Sequence, residues 1–135
     1  MSDQPTRLPL FSTKVVAGFP SPADDYVEKR LDINEFMIDH ADSTFFVTIQ
    51  GQSMIDVGLL PGDQVVVDRS RTADIGDIVL AVVDREFTIK ILDHTDGKLR
   101  LLPANSTGAY SPIEINEDKQ FEVFGVVIGS FRRFK

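Results

Sequence analysis

Ser53 stands in Gly51-Gln52-Ser53-Met54, where the alternating apolar run Thr44-Phe45-Phe46-Val47-Thr48-Ile49-Gln50 stops. A serine in such a place can be a nucleophile, provided that something accepts its proton. The inventory of acceptors is short: two histidines, His40 and His94, and no cysteine. His94 lies in Asp93-His94-Thr95-Asp96-Gly97, a turn-like stretch where a solvated side chain is expected. His40 falls at the end of a helix-like segment and reads as a helix-end residue. The serine is not in a Gly-x-Ser-x-Gly elbow. The histidines lack metal-ligand spacing, and Pro61-Gly62-Asp63 lacks the glycines and lysine of a phosphate loop. No metal or cofactor is implied.

A lysine can replace histidine as the base of a serine nucleophile. The candidate is Lys90, in Glu86-Phe87-Thr88-Ile89-Lys90-Ile91-Leu92. Strand alternation puts Phe87, Ile89 and Ile91 on one side and Thr88, Lys90 and Leu92 on the other. Periodicity alone leaves two readings open: Lys90 points to water, or it lies desolvated in an apolar cleft beside Ser53. The second matters chemically. A free lysine titrates near 10.4 and is charged at neutral pH. Burial without an anionic partner can lower that value by roughly 3–5. Glu86, if close, would oppose the shift.

The elements that must position these residues are mainly strands. Pro61-Gly62-Asp63 is a turn before the strand 64–68. Asp74-Ile75-Gly76-Asp77 turns the chain, and 77–83 and 87–92 form a hairpin across Asp84-Arg85-Glu86. Asp96-Gly97 leads into 98–103, and 111–115 and 121–134 complete the set. Many short strands without long helices predict a compact, mostly antiparallel β domain, sheet or barrel-like. Two short helices are expected ahead of it. One spans 22–29, with Ser21 as cap and Pro22 at its first position. The other spans 33–40, behind a capping box Asp32-Ile33-Asn34-Glu35. Residues 1–22, with Pro5, Pro9, Pro20 and Pro22, read as an extended, mobile N-terminal arm, and 23–135 as the domain. The apolar patch Val15-Val16-Ala17-Gly18-Phe19 is out of place in a solvated arm. It suits a short docked strand or a segment made to lie extended in a groove.

Composition narrows the partners. The 135 residues fit one domain with a real core, and 42% hydrophobic with 26% charged residues is ordinary for a globular chain. Net charge is −7, the wrong sign for holding phosphates, and Arg132, Arg133 and Lys135 are too few for a nucleic-acid face. No direct DNA binding is expected. No secretory signal and no membrane-length apolar run is evident, so a cytoplasmic location is expected.

Four stretches together carry a resemblance: 17–36, Gly51 to Asp68, Gly76 to Leu92, and Asn105 through Ile115 with Phe121 to Ile128. They resemble the UmuD family of self-cleaving SOS mutagenesis proteins, whose wider kin are the peptidase domains of LexA and phage repressors. The order is specific: an Ala-Gly pair, a Gly-x-Ser-Met-Ile serine, and a lysine 37 residues later. The resemblance implies a LexA-like Ser-Lys peptidase fold, with Ser53 as nucleophile and Lys90 as general base. It implies self-cleavage between Ala17 and Gly18, the oxyanion held by backbone N–H groups of Ser53 and Gln52. It further implies stimulation by RecA filaments on single-stranded DNA. A trimmed homodimer would then join a UmuC-type Y-family polymerase for error-prone lesion bypass. No DNA-binding domain precedes the arm in this sequence, which sets it apart from the repressors. The competing reading is a repressor-type self-cleaving peptidase acting in transcription.

Overall fold

The computed structural model describes residues 6–12, 14–15, 17–18 and 27–135. They divide into two compact units, Met1–Asp39 and His40–Lys135. In the first, strand β1 (Leu8–Phe11) pairs antiparallel with β2 (Val27–Leu31), Leu8 opposite Leu31. The Arg7 guanidinium pairs with Glu35 at 2.8 Å, and Arg30 donates to the Arg7 carbonyl. Buried Asp32 caps helix α1 (Ile33–Met37), its carboxylate accepting from the Asn34 amide at 2.9 Å.

Both helix expectations need correction. Of the segment 22–29, residues 22–26 lie outside the described residues, as does Ser21, and Val27-Glu28-Lys29 are strand. At those three residues pairing with β1 wins over continuation of a helix, because β1 satisfies the backbone of β2. The second helix starts where expected but ends at Met37, with Ile38 already extended. His40 is needed elsewhere. Its carbonyl accepts from the Ser43 amide and from the Ser43 and Thr44 hydroxyls, starting a 3₁₀ turn over Ala41–Ser43. Glu35 does not complete the expected box, since its carboxylate goes to Arg7.

The second unit is mainly β, as expected, built on one seven-stranded sheet. Its strands are β3 (Thr44–Thr48), β4 (Gln64–Asp68), β5 (Ile78–Val83), β6 (Glu86–Thr95), β7 (Lys98–Leu102), β8 (Ile113–Glu114) and β9 (Phe121–Phe131). The order is β3-β4-β9-β5-β6-β7-β8, with every pairing antiparallel. Two tight turns set the local register. Asp84-Arg85 joins β5 to β6 and Asp96-Gly97 joins β6 to β7, all four residues at positive φ, as a two-residue hairpin turn matched to strand twist requires.

Alternation along β5 feeds two cores. Leu80 joins Ile49, Met54, Leu59, Val65, Val67 and Ile89 in one cluster, while Val79 and Ala81 join Leu92 and Leu101 in the other. Strand β9 runs between β4 and β5 and is bulged against both. Its Gly125 is there for space: a Cβ would meet Val67 Cγ1 at 2.5 Å. Among the described residues no helix is long and apolar enough to cross a membrane.

Candidate functional site

Strand β3 ends at Thr48, and the chain then runs through Ile49, Gln50 and Gly51 to Ser53. Four backbone and side-chain ties hold this loop. Ile49 donates to the Asp63 carbonyl at 2.7 Å, and Gly62 donates back to the Ile49 carbonyl at 2.9 Å. Ala104 donates to the Ser53 carbonyl at 2.7 Å, and the Asn105 side-chain amide donates to the Gln52 carbonyl at 2.7 Å. Met54, 2% exposed, anchors the turn in the core beside Ser53.

Strand β6 faces that loop across a groove of about 410 Å³. Val47, Thr48, Ile49 and Gly51 line one wall, and Phe87, Thr88 and Ile89 line another, with Ser53 and Lys90 between. Exposed Phe87 is braced edge-on by Phe124 at 5.3 Å, which in turn meets Phe45 and lies under the Arg69 guanidinium at 3.9 Å.

Lys90 Nζ lies 3.0 Å from Ser53 Oγ. It also reaches Thr88 Oγ1 at 2.8 Å and the Ile89 carbonyl at 3.1 Å. Among the described residues no carboxylate pairs with it, Glu86 included. Burial therefore pushes the Lys90 ammonium below the ordinary lysine range, with nothing to oppose it. The two readings that periodicity left open are thus resolved in geometry: Lys90 is half-buried and turned to the serine.

Ala17 and Gly18 lie in the first unit, exposed and turned rather than extended, with Gly18 at φ +105. Val16 and Phe19 of the same patch are outside the described residues. His40 is not in the groove: its Nδ1 is 2.7 Å from Asp68 Oδ2. His94 is exposed on β6. No cluster of metal-ligating side chains occurs among the described residues.

Three contributors went unnoticed in the sequence. In the sequence Thr88 is one residue of an alternating strand, yet it shares Lys90 with Ser53. Asn105 follows a strand as an ordinary loop residue, and only its contact across 53 positions gives it meaning. Arg132 sits in what reads as a basic tail. It instead grips Asp63 through Nε at 2.8 Å and donates to the Gly58 carbonyl, pinning the loop that follows Ser53. A Leu60 amide bond to Asp63, together with Arg132, outweighs burial and holds that carboxyl below the usual range.

The groove thus brings a serine hydroxyl and a lysine with no carboxylate partner among the described residues to hydrogen-bond distance. A model of the Peptidase S24-like family matches residues 9–128, and the chain belongs to that family of self-cleaving serine peptidases. It is similar to Protein SamA of Salmonella typhimurium, 44% identical over 119 residues that cover 88% of this chain and 81% of SamA. It is similar to Protein MucA of Salmonella typhimurium, 37% identical over 91% of this chain and 83% of MucA. A LexA repressor of Carboxydothermus hydrogenoformans is 37% identical over 94% of this chain but 60% of the repressor. SamA and MucA are UmuD-family SOS mutagenesis proteins, so the resemblance expected from the sequence holds.

Proposed function

We propose that Ser53 is the nucleophile and Lys90 the general base of a self-cleavage reaction at Ala17–Gly18. The observation that carries this reading is the 3.0 Å approach of Lys90 Nζ to Ser53 Oγ with no carboxylate pairing among the described residues. A neutral amine has two N–H groups and one lone pair. Thr88 Oγ1 and the Ile89 carbonyl accept the two N–H groups, which leaves the lone pair for the serine proton. Lys90 takes that proton as Oγ attacks the Ala17 carbonyl. The Ala17–Gly18 C–N bond then breaks, the Lys90 ammonium returns the proton to the leaving Gly18 amine, and water resolves the acyl-enzyme. Backbone N–H groups of Ser53 and Gln52 hold the oxyanion. For this the turn at Ala17–Gly18 must open into an extended strand.

The reading continues to partners. RecA filaments on single-stranded DNA stimulate the cut, and the trimmed body, residues 18–135, acts as a homodimer with a UmuC-type Y-family polymerase in lesion bypass. The similarity to SamA and MucA, each covered over most of its length, supports this reading. The net charge of −7 also fits a protein that reaches DNA through others. Exposed Phe46 and Phe131, edge-on at 5.1 Å, with Phe134 92% exposed, offer an apolar surface for a second copy.

Incubation with and without RecA, single-stranded DNA and nucleotide, read by intact mass, tests the function. A product beginning at Gly18 is expected, faster with the filament. A product beginning elsewhere overturns the site. Sedimentation at micromolar concentration showing only monomer, for intact and trimmed chains alike, removes the dimer.

A further inference from the structure

We infer that Asn105 is a positioning residue for the oxyanion-binding amide of Ser53; this rests on the Ser-Lys reading above. Among the described residues no peptide bond is cis, so the Gln52 carbonyl and the Ser53 N–H point in opposite directions. The Asn105 side chain, from the loop after β7, holds the Gln52 carbonyl oxygen at 2.7 Å. Ser53 lines the groove, whereas Asn105 does not. Pulling the carbonyl toward Asn105 therefore turns the Ser53 N–H away from the 104–105 loop and toward the groove. The Ser53 N–H has no acceptor among the backbone bonds of this loop, while its carbonyl neighbours do have donors.

The orientation of the Asn105 amide is itself fixed by its partners. Its Oδ1 accepts from the Thr107 amide at 3.0 Å and from Thr107 Oγ1 at 2.6 Å. A backbone N–H can only donate, so Oδ1 must face Thr107 and Nδ2 must face Gln52. Asparagine is required for that pair of tasks. Aspartate has the same shape and keeps the Thr107 bonds, but it sets an oxygen against the Gln52 carbonyl. The peptide then gains by rotating, and the Ser53 N–H leaves its aim. The adjacent bond from Ala104 to the Ser53 carbonyl keeps the loop in place, so the change falls on one amide rather than on the fold.

The test is the self-cleavage rate of Asn105→Asp and Asn105→Ala, from about pH 7 to about pH 10, where a lysine changes charge. A lost oxyanion donor costs about 10²–10³ in rate, and a misdirected one is expected to cost about 10–10². The loss should be the same factor at every pH, because Lys90 keeps its surroundings. A Val-Val-Ala peptide boronic acid, which forms a tetrahedral anion on Ser53, should bind weaker by the same factor. The matching peptide amide, which forms none, should bind unchanged. Wild-type rate in either variant overturns the inference. So does a shifted pH midpoint, an equal loss of peptide-amide binding, or failure of both variants to fold, which would make Asn105 a prop of the domain. The underlying reading is tested separately by Lys90→Ala. If that variant cleaves like the wild type, both proposals fall; if it is dead while Asn105→Asp cleaves normally, only this one does.

Discussion

Lys90 and Asp68 are two ionisable groups of the same sheet, both with a pKa below the ordinary value, and for opposite reasons. Lys90 has two hydroxyls and a carbonyl around it and, among the described residues, no opposite charge, so burial acts, favouring the neutral amine. At Asp68, fully buried, burial pushes the carboxyl up, yet hydrogen bonds from Ser70, His40 and Ser43 overcome it. Arg71 lies 3.6 Å away as well. One group is poised to lose its charge and the other is locked into keeping it. A low pKa therefore says nothing by itself about chemistry; the partners decide.

The largest expected effect separates the two by activity. Lys90→Ala should slow self-cleavage by about 10³-fold or more, within the reach of a general base. Its thermal midpoint should hold or rise slightly, since an unpaired, half-buried charge is removed. Asp68→Ala should do the reverse. It strands the Ser70 amide and the His40 ring, and stability should fall by about 3 kcal/mol. Cleavage by the fraction still folded should stay near the wild-type rate. Denaturant titration with intact-mass assay of the same samples checks both. Dead but unfolded Lys90→Ala, or folded but dead Asp68→Ala, would break the contrast.

Next in size is pH. Both groups bind more protons unfolded than folded, so each makes stability rise with pH, in separate windows. Asp68 contributes stability above its unfolded value of about 3.9, lost as pH falls through the depressed folded value. Lys90 carries a cost at low pH that is relieved as pH climbs from its lowered folded value to about 10.4. Cleavage should follow only the second window, rising as Lys90 becomes neutral. Unfolding curves and cleavage rates over the pH range should separate the two. A cleavage rate that falls with rising pH would remove Lys90 as base. The smallest effect expected is for Thr88→Val, which removes one of the three Lys90 partners. Cleavage should slow by about fivefold, the worth of one hydrogen bond, with stability nearly unchanged.

The strands of the second unit were legible because alternation and turn residues are local. Pro61-Gly62-Asp63, Asp84-Arg85 and Asp96-Gly97 mark real reversals. Ser53 and Lys90 were legible as types, and the order of motifs tied them together. What was not legible depended on register. Lys90 could be turned to water or to Ser53 until β5, β6 and β9 were placed. The strand nature of Val27–Leu31 depended on β1, whose residues Leu8–Phe11 pair with it from an earlier part of the chain. Arg132, Asn105 and His40 are ordinary in sequence because their partners lie 69, 53 and 28 positions away.

The place of β9 has a consequence in time. Ser53 follows β3, Lys90 is on β6, and the sheet runs β3-β4-β9-β5-β6. A growing chain emerges with serine and lysine on two unconnected halves, since the strand that joins them is synthesised after the other strands of this sheet. On the reading proposed above, the nascent protein holds its cutting residues and its own target from residue 90 until β9 is made, without being able to use them. On that reading maturation is withheld until β9 pairs with β4 and β5, so a late strand sets the earliest moment of the cut.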